Sequence, residues 1–439
     1  FALFLYAFSP TMLAHTRLVT MDIGAACFIF LAVYCFYLYC RNPSSKNLML
    51  SGVTFGLAQL AKYTAIYLYF LYPIFFLLFW LLRNKEFMLD YKISKDIKKL
   101  LLSILFIFLV GNFIVFCGYF CELKPLLLND IDVKEKIAYF QTFIAKLFGE
   151  NSEFLSEKFI SFALNQPIPF STYIMGFLGA SNQTFAEHRF SVMLFGDYSM
   201  KGWWYYYFVV FLLKTSISVV FLLIISALFG RGFRKDRMSE LFVTVPVILL
   251  MMFTVVSVLQ GGVRYILPIY PFLFVYISKI VNVNIQYNKG FVQRRLIYFL
   301  ILSLGFCHLF SSVTSFPHYL PYFNLIGGGS SNGYRCLSRV NTDLGQDLKG
   351  LARYLERNNV REVKLSYWGF APPEIYNIND LPIKDIEKEI PEQEVYAISV
   401  HQIDDYKWAK QYKPKCMIGH TLFIYDFRYV NYMNRKVGT

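Results

Sequence analysis

Arg17 and Asp22 lie at the start of a long apolar run and form the first candidate site. The segment His15-Thr16-Arg17-Leu18-Val19-Thr20-Met21-Asp22 leads directly into residues 23–38, which carry no charged side chain. Charged residues are rare in membrane spans and are usually functional or paired. Arg17, at the rim, suits an anionic head group, and Asp22 suits a supporting catalytic role beside it. The alternative is an Arg17 that snorkels to the interface and an Asp22 that caps a helix.

Four more basic side chains are expected near the same side of the membrane, with Lys214 deeper, about midway along a span. Cations from separate helices at one face of a bilayer suit a phosphorylated lipid head group, and a carboxylate among them suits a general base. Each cation also has an ordinary interpretation. The four are Lys62 (alternatively a loop lysine in water), His188 (an exposed interfacial histidine), Lys214 (snorkelling or bonded to backbone carbonyls) and Arg264 (a structural partner of Asp22).

Composition indicates a membrane protein. Of 439 residues, 56% are hydrophobic and only 16% are charged. The net charge of +14 does not indicate nucleic-acid binding, because the basic residues cluster in short loops between apolar runs, which is typical of cytoplasmic loops.

Most cysteines lie inside apolar segments and are expected to be core residues, while a disulfide between Cys336 and Cys416 stays open. The sequence contains neither HExxH nor CxxC, the patterns that would indicate a zinc site, and the question of a divalent metal stays open.

The apolar runs predict the membrane spans. Residues 48–82 are too long for one span, and a turn near Ala61-Lys62-Tyr63 is expected to divide them into two short helices. Basic loops are expected to face the cytoplasm. This orientation places five parts of the chain outside: residues 9–17, the Lys62 turn, segment 121–202, Arg264 and the C-terminal tail. Within segment 121–202 we expect surface helices at 131–147 and 154–164. The remaining predicted spans are 23–40, 100–120, 203–229, 241–259, 265–281 and 296–313.

The tail is more polar and predicts a second unit. We expect helices at 345–359 and 404–412, strands at 362–367, 395–401 and 421–427, and capping of the first helix by Asp343, Gln346 and Asp347. The predicted fold is therefore an all-α polytopic membrane protein with a small extracytoplasmic α/β C-terminal domain. The two predicted domains are residues 1–316, the multi-pass transmembrane domain, and residues 317–439.

Five segments, in order, resemble the polytopic GT-C type glycosyltransferases, the relatives of protein O-mannosyltransferases and of the aminoarabinose–lipid A transferase. Ser216 stands where the family usually has Pro, and Leu344 stands where a prokaryotic branch of the family usually has Trp. The segments are Ser9-Pro10 with His15-Thr16-Arg17-Leu18-Val19-Thr20-Met21-Asp22, Gly52 to Lys62-Tyr63, Gly202-Trp203-Trp204-Tyr205-Tyr206 with Leu213-Lys214-Thr215, Gly262-Val263-Arg264-Tyr265 to Pro271, and Pro317-His318 to Asp343-Leu344-Gly345-Gln346-Asp347-Leu348.

The resemblance implies a membrane glycosyltransferase with a polyprenyl-phosphate sugar, such as a mannose-like hexose, as donor substrate. The acceptor would be a hydroxyl of a protein or glycolipid on the outer face of the plasma membrane, and the displacement would invert the anomeric carbon. Arg17, Lys62 and Arg264 would hold the phosphate, with His188 and Lys214 as further substrate contacts. The family carries its main catalytic carboxylate in the first outer loop, which we expect to precede Phe1, so Asp22 would have a supporting role.

Two other classes of protein stay open at this stage. A lipid or solute transporter also needs charges inside the membrane, although it more often has inverted repeats and charges near the midplane. A non-catalytic membrane scaffold is compatible with Ser216 and Leu344. Labelled lipid-phosphate sugar would distinguish them, since the sugar would be transferred, the lipid moved, or neither.

Overall fold

The structure is a computed structural model, and it describes residues 1–82, 96–125, 166–185, 191–229, 237–257, 259–282, 291–337, 339–389, 391–409 and 411–428. It consists of a helical membrane region followed by a smaller unit built around a sheet. The surface helices predicted at 131–147 and 154–164, and His188, lie outside the described residues.

The first half of the membrane region is a series of helices that end where apolar runs meet polar residues. Ser9 starts the second helix, because its hydroxyl accepts a hydrogen bond from the Met12 amide and Pro10 has no amide hydrogen to satisfy. The helices are α1 (Ala2–Ala7), α2 (Pro10–Thr16), α3 (Asp22–Arg41), α4 (Ser45–Ala61), α5 (Leu68–Leu82) and α6 (Ile97–Gly118).

The second half contains the remaining helices and two short hairpins. The hairpins are β1 (Leu123–Lys124) with β2 (Ile168–Pro169), and β3 (Val192–Leu194) with β4 (Asp197–Ser199). The helices are α7 (Ser171–Phe185), α8 (Tyr206–Lys214), α9 (Ile217–Phe229), α10 (Arg237–Val256), α11 (Ile269–Ser278) and α12 (Phe291–Ser315).

Five helices within the described residues are long and apolar enough to cross a membrane, which confirms a polytopic membrane protein. The predicted break at Lys62 is also confirmed, since α4 ends at Ala61 and a 3-10 turn, Tyr63–Tyr67, leads into α5. The span predicted at 265–281 is shorter, because a 3-10 turn occupies Val263–Tyr265 and α11 begins at Ile269. The five spans are Asp22–Arg41, Tyr63–Leu82, Ile97–Gly118, Met238–Val256 and Arg295–Ser315.

Helix α4 packs closely between α3 and α6, and glycines make the approach to α6 possible. A Cβ atom added at Gly56 would lie 2.7 Å from the Gly111 carbonyl oxygen and 2.6 Å from Cβ of Ile114. Small residues four apart on one helix, here Gly52 and Gly56, let two helix backbones come together in a membrane. The Lys62 end of α4 is thereby held in place.

Replacing Gly56 by Ala should lower the free energy of unfolding by about 1–3 kcal/mol, because the new methyl group overlaps the α6 backbone. Gly24→Ala is the matched control, since a Cβ there has nothing within 4 Å and Ala is the better helix former. SDS titration in mixed micelles measures both variants. Equal stability of the two variants would contradict the close contact.

Residues 203–229 were expected to form one span, and the structure divides this run into two helices. The apolar run is broken at Thr215-Ser216, and the axes of α8 and α9 differ by 111°. Hydrogen bonds from other segments satisfy the backbone carbonyls released by the break, as broken helices in membranes require. The Asn324 side chain donates to the carbonyls of Leu212 and Thr215, at 2.5 and 2.8 Å, and the Thr11 hydroxyl donates to the carbonyl of Lys214.

The C-terminal unit is a five-stranded sheet in the order β6-β5-β7-β9-β8, with helix α13 (Leu348–Arg357) on one face. Residues of β7 alternate between two cores, Val395 and Ala397 towards α13, Tyr396 and Ile398 towards Trp408. The α/β character of the tail is therefore confirmed. The strands are β5 (Val363–Ser366), β6 (Asp380–Leu381), β7 (Val395–Ser399), β8 (Cys416–Ile418) and β9 (Leu422–Asp426).

Two details of the tail differ from the predictions, and one alternative that stayed open is decided. Residues 404–412 are not helical beyond a 3-10 turn, Ile403–Asp405, because Trp408 packs in the sheet core and its indole donates to the Glu387 carbonyl at 2.7 Å. No side-chain cap starts α13, since Asp347 accepts instead from the Thr421 hydroxyl at 2.7 Å. Cys336 and Cys416 are free thiols, so they form no disulfide.

Residues 317–341 lie against the membrane helices although they belong to the predicted tail domain. Phe323 and Leu337 are buried in the same core as the helices. The Asn324 amide donates to the Leu213 carbonyl at 3.0 Å, and the Phe195 amide donates to the Cys336 carbonyl at 2.9 Å. This segment therefore fixes the sheet unit to one end of the helices, while the division at 316/317 stays a prediction.

Candidate functional site

Asp22 and Lys62 form an ion pair where two helix ends meet. Asp22 is the first residue of α3 and only 4% of its side chain is exposed, and Lys62 directly follows α4. The Lys62 Nζ atom lies 2.5 Å from Oδ1 of Asp22. A carboxylate at a helix N-terminus and an ammonium at a C-terminus each suit the local helix dipole. The partner of Asp22 is thus Lys62, and neither helix capping nor the alternative pairing with Arg264 is observed.

Tyr265 brings a second cation to this pair. The Lys62 Nζ atom lies 4.6 Å from the centroid of the Tyr265 ring, and the guanidinium carbon of Arg264 lies 5.3 Å from the same centroid. The Arg264 Nε atom is buried and has no hydrogen-bond partner in the part of the chain that the structure describes. Arg264 therefore presents an unused donor at the ring that Lys62 also contacts, and a charged donor of this kind suits an anion.

The turn that carries Arg264 is positioned by Asn341. Gly262 precedes it with φ +80°, and a Cβ atom at this position would lie 2.6 Å from Oδ1 of Asn341. The same Oδ1 accepts from the Val263 amide at 3.1 Å, and Nδ2 of Asn341 donates to the Tyr206 hydroxyl at 3.1 Å. Sequence reasoning placed Asn341 in a family-like motif without a role, and the structure makes it the link between three such motifs.

Lys214 is buried below this turn and is fully engaged by the backbone. Its ammonium donates to the carbonyls of Leu320 and Asn341, at 2.7 and 2.8 Å, and lies 4.3 Å from the centroid of the Phe323 ring. These contacts match the structural alternative considered for Lys214. Its predicted contact with substrate stays a prediction.

Arg17 is exposed and directly follows α2. Its Nη1 atom donates to the Pro317 carbonyl at 2.6 Å, which ties the end of α2 to the start of the tail. The guanidinium has further N–H groups in a fixed fork. Arg17 can therefore hold this carbonyl and an anion together.

His15 is the residue that sequence reasoning passed over. It is 1% exposed, and neither ring nitrogen has a hydrogen-bond partner among the described residues. The charges of Asp22, Lys214, Arg264 and Lys62 act on its imidazole, so it lies inside the cluster. Its place two residues before Arg17 was the available signal, but the histidine sits in a short helix that was expected to be a loop.

The described residues contain no group of three His, Cys, Asp or Glu side chains placed to hold a metal ion. The possible divalent metal therefore has no ligand set among these residues. The arrangement instead combines cations with one buried carboxylate, which suits stabilisation of a phosphate on which negative charge develops.

Comparison with known proteins finds one similarity, in the N-terminal part of the chain. Residues 1–113 match the family model for dolichyl-phosphate-mannose-protein mannosyltransferase, which includes Arg17, Asp22 and Lys62. No curated protein and no solved structure matches the chain.

The protein is a multi-pass membrane protein, and its first 113 residues are similar to a family of glycosyltransferases. The match over residues 1–113 confirms the resemblance to the GT-C type families that include the protein mannosyltransferases.

Proposed function

We propose that this protein transfers a sugar from a polyprenyl-phosphate donor to a hydroxyl of a protein or glycolipid acceptor on the outer face of the membrane. The observation that carries the proposal is the convergence of Asp22, Lys62 and Arg264 around Tyr265. These residues come from three separate segments, and each segment resembles the same family of glycosyltransferases. A mannose-like hexose is the sugar that the family match favours.

The position of the cluster supports the outer side. Asp22 begins α3 and Lys62 follows the end of α4, whereas the basic residues Arg41, at the end of α3, and Lys46, at the start of α4, flank the turn between these helices. Basic loops face the cytoplasm, so the cluster belongs to the opposite face. Arg17 contacts Pro317 at this same end, which supports an outer position for the C-terminal unit as well.

The chemistry follows from the charges. In the proposed reaction the acceptor oxygen attacks the anomeric carbon, and the bond from that carbon to the phosphate oxygen breaks with its electron pair. The acceptor proton passes to a carboxylate base, and the lipid phosphate leaves with an additional negative charge. Arg17, Lys62 and Arg264 would stabilise that charge in place, while Asp22 keeps Lys62 oriented before the donor arrives.

The test uses the natural full-length protein in proteoliposomes with polyprenyl-phosphate mannose labelled in the sugar. We expect the label to move to an added peptide or glycolipid acceptor. Movement of intact labelled lipid between leaflets would favour a transporter instead, and neither transfer nor movement would favour a scaffold.

An Arg17→Ala variant should lose at least about 100-fold in transfer rate, the scale of removing one preorganised charge-stabilising donor. Its unfolding should change little, because Arg17 is exposed and its bond to Pro317 is one hydrogen bond. Lys201→Ala removes a different exposed basic side chain. It is the control and should keep full transfer. Normal turnover of the Arg17 variant would remove Arg17 from the phosphate site.

A further inference from the structure

His15 differs from another buried histidine of the membrane region in having no partner. His308 is also 1% exposed, but its Nδ1 lies 2.7 Å from the Ser216 hydroxyl and its Nε2 lies 2.9 Å from the Leu5 carbonyl. Both nitrogens of His15 lack such a bond among the described residues. A buried polar group without a partner costs stability, and each one in a native structure calls for an explanation, such as a catalytic role or a bound water or ion.

The charged groups around His15 come from four different elements. Asp22 begins α3, Lys62 follows α4, Lys214 ends α8 and Arg264 lies in the 3-10 turn before α11. Helix α2, which carries His15, lies outside the candidate spans. Burial lowers the pKa of His15 to about 4; the Asp22 carboxylate opposes this, and the three cations add to it. His15 is therefore neutral at neutral pH in the absence of donor.

Binding of a donor phosphate would compete with Asp22 for the Lys62 ammonium. Lys62 is the only salt-bridge partner of Asp22 among the described residues. Under the proposed function it is also one of the cations that hold the phosphate. If Lys62 turns to the phosphate, Asp22 remains as a buried carboxylate without compensation, which is strongly unfavourable. The His15 imidazole has two nitrogens without a hydrogen-bond partner among the described residues. Of the charges that act on it, that of Asp22 has the largest effect.

We infer that His15 is a positioning residue that takes up a proton and replaces Lys62 as the partner of Asp22 when Lys62 contacts the donor phosphate. The inference rests on the proposed function, because it needs an anionic donor in the cluster. The charges balance, since the proton comes from solvent and the donor brings one negative charge with it. Lys62 can then serve the phosphate without leaving Asp22 unpaired.

The test is calorimetric binding of farnesyl methyl phosphate to the purified full-length protein. This phosphodiester carries one fixed charge between pH 6 and pH 8, so it contributes no proton itself. Titrations in Hepes and Tris, which differ in ionisation enthalpy, give the number of protons taken up. We expect about one proton for each bound probe at pH 7, and affinity that rises by up to roughly tenfold for each unit that the pH falls.

Variants separate this role from a structural one. His15→Gln should bind the probe more weakly, without proton uptake and without the pH dependence. Asp22→Asn should also bind without proton uptake, because no carboxylate then needs a new partner. His308→Gln, the matched control at a buried histidine with two partners, should lose stability but keep the proton uptake.

The outcomes are distinct from a failure of the proposed function. Probe binding by the wild type without proton uptake, or proton uptake that persists in His15→Gln, would overturn the role of His15 and leave the phosphate site standing. No binding of the probe to the wild type would overturn both.

Discussion

A Lys62→Met variant is expected to lose transfer and about 3 kcal/mol of unfolding free energy. The stability loss arises because Asp22 would remain charged, 4% exposed and without its lysine. The activity loss arises because Lys62 is one of the cations proposed to stabilise the leaving phosphate. Transfer in proteoliposomes and SDS titration in mixed micelles measure the two effects separately.

The double variant Lys62→Met with Asp22→Asn separates stability from function. Removing both charges leaves no uncompensated ion, so most of the lost stability should return. Transfer should stay absent, since the phosphate has still lost a cation. Recovery of transfer in the double variant would mean that the pair is only structural.

A second ion pair in the membrane region supplies the control. The side chain of Lys279 is 3% exposed, and its Nζ atom lies 2.6 Å from Oε1 of Glu240, at the opposite end of the helices from Asp22. Lys279→Met should also lower stability, but by less, because the Glu240 side chain is 32% exposed and its charge keeps contact with solvent. Transfer should persist in the folded fraction, because this pair is remote from the proposed phosphate site.

A Lys214→Met variant is expected to release residues 317–341 from the helices. The carbonyls of Leu320 and Asn341 would lose their shared donor, with a cost of about 2–4 kcal/mol for two buried acceptors left unpaired. Limited proteolysis should then cut between 317 and 341, where the wild-type protein resists. Transfer should fall as well, because Asn341 positions the turn that carries Arg264.

Lys349→Met is the control for this second variant, since Lys349 is exposed on α13 and the same substitution should leave proteolysis unchanged. The experiment also distinguishes the two roles considered for Lys214. Resistance to protease together with lost transfer would favour a direct contact between Lys214 and substrate. Cleavage within 317–341 would favour the structural role that its hydrogen bonds support.

The membrane helices were predictable because their signal is local. A span needs about 20 consecutive apolar residues, and such runs are visible without any knowledge of their neighbours. The break at Lys62 was also visible, because a lysine inside a run too long for one span indicates a turn. The strands around Val363 and Leu422 were predictable for the same reason, since short apolar runs alternate with polar turns.

The bend at Thr215-Ser216 was not predictable from the run that contains it. Residues 203–229 are apolar almost throughout, so they have the composition of one straight span. The bend depends on Asn324 and Thr11, which come from distant parts of the chain and satisfy the free carbonyls. Likewise, Trp408 prevents the helix expected at 404–412, because its place in the sheet core outweighs local helix propensity.

By itself, the sequence determined that this is a polytopic membrane protein, the positions of most helices and the kinds of charged side chain that lie near the helix ends. Only the tertiary structure decided which of those side chains are partners. Asp22 pairs with Lys62 instead of Arg264, and Lys214 bonds carbonyls instead of standing free, while His15 is enclosed without a partner. The physical reason is that an ion pair or hydrogen bond depends on a few ångströms between atoms, and helix packing sets those distances.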